Sequence, residues 1–249
     1  MILRDGGDGL EVLLGRRRRG RAFGERHVFP GGVVDLDDQR TSALGDGLSE
    51  VEARRRLGLG AEALGYWVAA VREAFEETGL LFLRDGVPSF DQLLDLRQQL
   101  LAGDASFGQL CSANGLRLDL GSLYYVAHWI TPAVRAARFD TRFFMAALPP
   151  GQRAAHDGVE LTDSVWLTPD DALTGMRAGR LKLAPPTAVE LERLSRFPTT
   201  TAALTWAESR WREGVPGIMP VVEGSGTAER VRMPPEAAAA HGRATGSDD

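Results

Sequence analysis

The sequence predicts an α+β fold, a layered sandwich rather than a doubly wound sheet, on three observations. Strand-like and helix-like stretches are interspersed without a regular strand-helix repeat. The 249 residues are 43% hydrophobic and 25% charged, enough apolar material for one sizeable core. One stretch, residues 66–79, has a strong helical pattern that stops at a glycine.

The elements follow in order. Short apolar runs at residues 2–3 and 12–14 flank the turn-rich Asp5-Gly6-Gly7-Asp8-Gly9, which reads as a hairpin. Arginines crowd the next stretch: Arg16, Arg17, Arg18, Arg19, Arg21 and Arg26. In Val28-Phe29-Pro30-Gly31-Gly32-Val33-Val34, two glycines put bare backbone where another group must come close. Residues 35–64 are polar and charged, with a helical piece at 50–57. After the helix to Gly79, residues 81–83 read as a strand, and 89–101 as a helix capped by Ser89. Residues 124–130, 143–148 and 165–167 read as strands. Thr168-Pro169-Asp170-Asp171 starts a helix, and 187–196 forms another. Residues 1–222 are therefore one domain, with helical additions at 89–112, and 223–249 a flexible tail.

Composition excludes several functions. The formal net charge of −5 implies no general affinity for nucleic acid or anionic membrane. A basic cluster on an acidic chain suits a small anionic ligand. The single cysteine, Cys111, excludes an internal disulfide and a cysteine zinc site, and the four histidines lack metal-ligand spacing. No apolar run is long enough to span a membrane. With neither a signal-peptide pattern nor a C-terminal peroxisomal or retention address, a cytoplasmic location is expected.

The chemistry is concentrated in Val71-Arg72-Glu73-Ala74-Phe75-Glu76-Glu77-Thr78-Gly79-Leu80. Glu73, Glu76 and Glu77 fall at i, i+3 and i+4 and project from one helical face, while Val68, Val71 and Phe75 anchor the opposite face. Three carboxylates on one face repel one another. Arg72 can neutralise one of them, and a divalent cation the rest. Hard oxygen ligands select Mg2+ or Mn2+.

Arg72 to Leu80 resembles the second half of the box that defines the Nudix hydrolases, and Gly31-Gly32 resembles its first half. The resemblance implies an α/β/α sandwich with a mixed sheet. Glu73, Glu76 and Glu77 would ligate metal or activate water, Arg72 would orient them, and Gly32 and Gly79 would bound the loop and helix. The box sets its arginine fourteen positions after its leading glycine, whereas Gly32 and Arg72 are forty apart, so the box is split by an insertion assigned to 35–64. Its remaining glutamate, eight positions before the arginine, falls on Leu64 and is absent, with Glu62 nearby but out of register. That acid is a helper, so activity is expected to survive.

A split box resembles the subgroup of peroxisomal coenzyme A diphosphatases. His27-Val28-Phe29-Pro30-Gly31-Gly32, Trp129-Ile130-Thr131-Pro132, Arg138-Phe139-Asp140-Thr141-Arg142-Phe143-Phe144 and Leu183-Ala184-Pro185-Pro186 carry the same resemblance over about residues 1–200. It implies hydrolysis of a small-molecule nucleoside diphosphate derivative, coenzyme A or acyl-coenzyme A. ADP-ribose or a dinucleotide is the alternative substrate, and a non-catalytic nucleotide sensor the alternative class. Relatives often dimerise, which implies a homodimer. Glu160 is a further candidate metal ligand and, with Glu73, a candidate general base; Asp157 and Asp163 compete less well. Arg16, Arg17, Arg21 and Arg26 are candidates for pairing with substrate phosphates. Trp129, Phe139 and Tyr125 either stack on a base or pack in the core, and Asp140 either positions a substrate group or closes a turn.

Overall fold

The computed structural model describes residues 1–20, 24–135, 137–223 and 230–232. In chain order it contains β1 (Ile2–Gly6), β2 (Gly9–Arg17), β3 (His27–Val28), α1 (Leu36–Thr41), β4 (Gly45–Asp46), α2 (Glu50–Leu57), α3 (Ala63–Thr78), α4 (Phe90–Ala102), α5 (Phe107–Ala113), β5 (Leu118–Asp119), β6 (Tyr124–Ile130), β7 (Asp140–Ala147), β8 (Leu161–Leu167), α6 (Pro169–Arg177), α7 (Pro185–Leu194), α8 (Thr200–Glu213), β9 (Gly217–Ile218), β10 (Val221–Glu223) and β11 (Arg230–Arg232).

The main sheet is seven-stranded, in the order β3-β2-β1-β7-β6-β9, with β8 paired to β2 off that path. It is mixed: β1 runs parallel to β7 and β6 parallel to β9, while the other pairs are antiparallel. Leu3 and Leu167 both pair with Val12, and His27 and Asp163 both pair with Arg16. Thus β8 occupies one edge of β2, and β1 and β3 share the other.

Strand side chains alternate between two faces, and here each face is covered by its own set of helices. Ile2, Leu13, Tyr125 and Phe144 join Trp67, Val71 and Phe75 of α3, with Leu93, Leu96 and Phe107 from α4 and α5. Leu3, Val12, Leu14, Val126 and Met145 join Leu173, Leu191, Leu194, Ala203 and Ala207 from α6, α7 and α8. This is an α/β/α sandwich with a mixed sheet, as the resemblance implied.

Three local readings are corrected. Residues 81–83 make an isolated antiparallel bridge, Leu83 to Leu118, rather than a strand: the Gln152 side-chain amide accepts from Leu81 N (2.8 Å) and donates to Leu81 O (2.7 Å), so the pairing does not extend to Leu81. Residues 200–213 are helical although no helix was expected there. The stretch from 223 was read as a tail, yet Val221–Glu223 pairs antiparallel with Arg230–Arg232, where valines Val221, Val222 and Val231 favour strand. Residues 224–229 and 233–249 lie outside the described residues.

Candidate active site

Helix α3 carries the acids. Ala69, Ala70 and Ala74 favour helix. Gly79, with φ 74°, ends it in the left-handed conformation and donates to Phe75 O at 2.9 Å. Trp67, Val68, Val71 and Phe75 are buried in the core. That rotation turns Glu73, Glu76 and Glu77 toward the loop after β3.

Arg72 is held rigidly by everything around it. Its Nε and Nη2 donate to the two carboxylate oxygens of Asp38 at 2.8 and 3.0 Å, Nη2 also donates to Val33 O at 2.8 Å, and Nη1 donates to Glu73 Oε1 at 2.9 Å and Glu76 Oε1 at 3.3 Å. All five N–H directions of the guanidinium are used. The surrounding carboxylates hold it protonated against the opposing effect of burial, which is the largest single influence on it.

Asp38 corrects the sequence reading of the box. It lies six positions after Gly32, the interval the box sets between its leading glycine and its glutamate. The acid is therefore present as an aspartate, and the extra residues enter between Asp38 and Arg72 rather than from residue 35. Asp38 is 1% exposed and closes a capping box with Asp35 at the start of α1. Counting backward from Arg72, across the insertion, placed the missing acid at Leu64, which is buried in α3. Counting forward from Gly32 finds it. Glu62 is the residue before α3, and its carboxylate accepts from Gly60 N.

The two glycines serve the acids directly. Gly31, at φ 153°, donates its N–H to Glu77 Oε2 at 2.9 Å and accepts from Arg17 Nη2. A Cβ on Gly32 would lie 2.4 Å from Glu73 Oε1 and 2.5 Å from its Cδ, so any larger residue would push the carboxylate out of its place against Arg72. Arg17 also reaches Glu77 Oε1 at 3.4 Å and Glu160 Oε2 at 3.7 Å. It is a bridge between carboxylates from α3 and from the segment before β8. Asp157 accepts from Glu160 N and Leu161 N, both at 2.8 Å, and so holds the segment rather than joining the cluster.

Electrostatics follow from this crowding. Burial raises Glu77 to about 8, Glu73 and Glu160 add to the rise, and Arg17 and the Gly31 N–H oppose it. Burial raises Glu73 to about 7, with Glu76 and Glu160 adding and Arg72 opposing. Glu76 is also raised, first by burial.

The other predicted residues separate. Arg16 and Arg26 are exposed at the β2–β3 pairing; Arg26, opposite Arg17, shares the cluster's face of the sheet, while Arg16, opposite His27, points to the other face. Arg21 lies outside the described residues. Trp129 is 4% exposed and donates its Nε1 to the buried Glu190 at 2.8 Å, so it is core rather than a stacking surface. Tyr125 packs on Phe144 in the core. Asp140 sits at the start of β7, paired with His128 at 2.5 Å and Arg142 at 2.8 Å, away from the acid cluster. Asp163 pairs across the strands with Arg16.

Among the described residues, no three His, Cys, Asp or Glu side chains are arrayed around one point as a finished metal site. Arg72, Arg17 and the Gly31 N–H are bonded to the carboxylate oxygens of Glu73, Glu76 and Glu77. The donor chemistry nevertheless suits a hard divalent cation. Glu77 is buried and Glu73 half-buried; both are oxygen donors, mutually repelling and raised in proton affinity, the condition that a bound cation reverses.

Residues 49–194 match the family described as the NUDT19 Nudix domain, more than half of the chain. The chain belongs to this family of Nudix hydrolases. The Gallus gallus acyl-coenzyme A diphosphatase NUDT19 is 29% identical over 260 residues, covering 84% of this chain and 67% of the relative. The Homo sapiens acyl-coenzyme A diphosphatase NUDT19 is 26% identical over 257 residues, covering 86% and 68%. The crystal structure of a Nudix hydrolase from Alicyclobacillus acidocaldarius superimposes with a TM-score of 0.70 at 30% identity, covering 82% of this chain and 92% of that one. As a Nudix hydrolase, this protein is an enzyme.

Proposed function

We propose that this Nudix hydrolase cleaves the diphosphate of coenzyme A or an acyl-coenzyme A. The observation that carries this is the carboxylate cluster of buried Glu77, half-buried Glu73 and partly exposed Glu160 beside the Gly31–Gly32 loop, in a chain whose relatives bear the name acyl-coenzyme A diphosphatase. Glu73, Glu76, Glu77 and Glu160 are the residues that would hold Mg2+ or Mn2+. When bound, the ion supplies charge neutralisation on the diphosphate and activation of water.

The protein's own groups divide the remaining work. Arg72 fixes Glu73 and Glu76 in orientation, and Gly31 N–H fixes Glu77. Arg17 is committed to Glu77, Glu160 and Gly31 O, so the phosphate contacts fall to the exposed Arg26, which shares the cluster's face. Glu160 is 38% exposed and takes the proton from water at its carboxylate, because Glu73 is locked to Arg72.

The test is product analysis by mass spectrometry. Purified protein with Mg2+, then Mn2+, is offered coenzyme A, acyl-coenzyme A, ADP-ribose, reduced dinucleotide and diadenosine polyphosphates. Release of 4′-phosphopantetheine and adenosine 3′,5′-bisphosphate from coenzyme A, abolished in Glu77→Gln, supports the reading. Cleavage of ADP-ribose or a dinucleotide in preference moves the substrate. No cleavage of any compound overturns the reading.

A further inference from the structure

The acid cluster is assembled from two stretches far apart in sequence, the last two turns of α3 and the segment leading into β8. Arg97, in the middle of α4, joins the two. It is 6% exposed, although Phe90, Leu94 and Leu101 on the same helical face are 60%, 42% and 45% exposed. Its side chain runs inward beneath them to reach backbone. Nε and Nη2 donate to Glu76 O at 2.9 and 2.8 Å, and Nη1 donates to Ala155 O at 2.8 Å. Ala155 N in turn donates to Thr78 O at 2.8 Å. Gly79 leaves the space: a Cβ there would meet Arg97 Nη1 at 3.3 Å.

Glu76 O belongs to the final turn of α3, whose carbonyls lack partners within the helix. Satisfying it and complementing the helix dipole would need only one cation. Arg97 does more, because one rigid planar group serves carbonyls on both segments. Two residues beyond Ala155, Asp157 fixes the backbone N–H groups of Glu160 and Leu161. The chain of contacts thus runs from Glu76 and its neighbour Glu77, through the guanidinium, to Ala155, Asp157 and Glu160.

We propose that Arg97 is a positioning residue for diphosphate hydrolysis: its guanidinium sets the spacing between the helix-borne carboxylates Glu73 and Glu77 and the segment-borne Glu160. The inference rests on the hydrolytic reading of the site.

The test compares Arg97→Lys and Arg97→Met with wild type. An ammonium can keep the Glu76 O bond but cannot span both carbonyls, so Arg97→Lys is expected to retain most of the thermal stability. Its Mn2+ affinity, measured by titration with the metal alone, is expected to fall roughly 10–100-fold, with kcat falling similarly and KM little changed. Arg97→Met is expected to lose both stability and Mn2+ affinity. Wild-type Mn2+ affinity and kcat in Arg97→Lys would overturn the proposal and leave Arg97 a stabilising cap, even if the wild-type protein cleaves coenzyme A. A wild-type protein that cleaves nothing, but whose Mn2+ affinity falls in Arg97→Lys, would sink the hydrolytic reading while supporting the spacing role.

Discussion

Replacing Asp38 tests whether the split box is complete. In Asp38→Ala, Arg72 loses its Nε bond and one of its two Nη2 bonds while its side chain stays 8% exposed. Removing one partner of a buried ion pair costs about 3–5 kcal/mol. Arg72 keeps Glu73, Glu76 and Val33 O, which argues for the lower end. The capping contact from Asp35 N to Asp38 Oδ2 at 2.9 Å is lost as well, worth about 1 kcal/mol, and the two effects overlap because they share one carboxylate. A total of about 3–4 kcal/mol, at roughly 2–4 °C per kcal/mol for a chain of this size, lowers Tm by roughly 6–16 °C. The guanidinium is then anchored only by Val33 O and by the two glutamates it orients, so their positions loosen with it and kcat is expected to fall roughly 10–100-fold at temperatures where the variant is folded. Thermal melting by circular dichroism and initial rates of diphosphate cleavage are the assays. Asp38→Asn, with its shape kept and its charge lost, should fall between. Glu62→Ala should match wild type, since that side chain is half-exposed and bonds backbone of its own turn, such as Gly60 N, and not the acid cluster. An Asp38→Ala protein with unchanged Tm and full rate would refute the assignment of Asp38 as the box acid.

Other outcomes follow from the same geometry. Gly32→Ala drives a Cβ into the Glu73 carboxylate, and a displacement of that size is expected to lower kcat by roughly 100-fold with Tm little changed; a rate within a factor of two would show that the loop gives way. Without metal, Glu77 at about 8 and Glu73 at about 7 hold protons that the unfolded chain releases near 4.5, so Tm measured in EDTA should fall as pH rises from 5 to 8. Saturating Mg2+, or Glu77→Gln, should flatten that slope; a metal-free Tm that rises over this window contradicts the burial argument. Trp129→Phe removes a donor from the buried Glu190 and should cost about 1–2 kcal/mol in stability while leaving KM for coenzyme A unchanged, whereas a base-stacking tryptophan would raise KM. Burial pushes the Cys111 thiol up to about 12, so native protein should resist a thiol reagent that labels the unfolded chain at once.

The sequence announced the acid helix because its signal is local: three glutamates at helical spacing, an apolar opposite face and a glycine stop. Its start was set at 66 rather than 63 because Ala63, Leu64 and Gly65 present no polar face of their own, though all three are buried. Helix α8 was missed because its fully buried hydrophobic contacts come from small residues, Ala203 and Ala207, while Leu204 and Trp206 are only partly buried and sit among threonines and charged residues, which blurs the apolar stripe. The misread strand at 81–83 and the unseen clamp at Arg97 share a different cause. Their partners, Gln152 and Ala155, lie 71 and 58 residues away, and no local pattern encodes a side chain that substitutes for a strand neighbour or ties down a helix end.

Asp38 shows how a box can be split and stay whole. In an unbroken box the chain itself sets the distance from the acid to the arginine. Here that distance is set through space, by the paired bonds between Asp38 and Arg72 and by the packing of α1 on α3, where Gly65 lets Gln39 come within 3.0 Å of the position its Cβ would occupy. Once the ion pair holds the register, the intervening chain is free to lengthen, and it does so through β4 and α2. The inserted segment packs Ala53 and Leu57 on the core but makes its polar contacts away from the acids, with Asp46 paired to Arg117 at 2.7 and 2.8 Å and Gly45–Asp46 lying parallel to Leu118–Asp119. A change in the length of this outer segment should therefore spare the rate, while a change at Asp38, Arg72 or Gly65 should not. Shortening the loop at residues 58–61 by one or two residues, with kcat as the readout, separates the two: a loss of rate as large as that of Asp38→Ala would mean that the chain, and not the ion pair, carries the register.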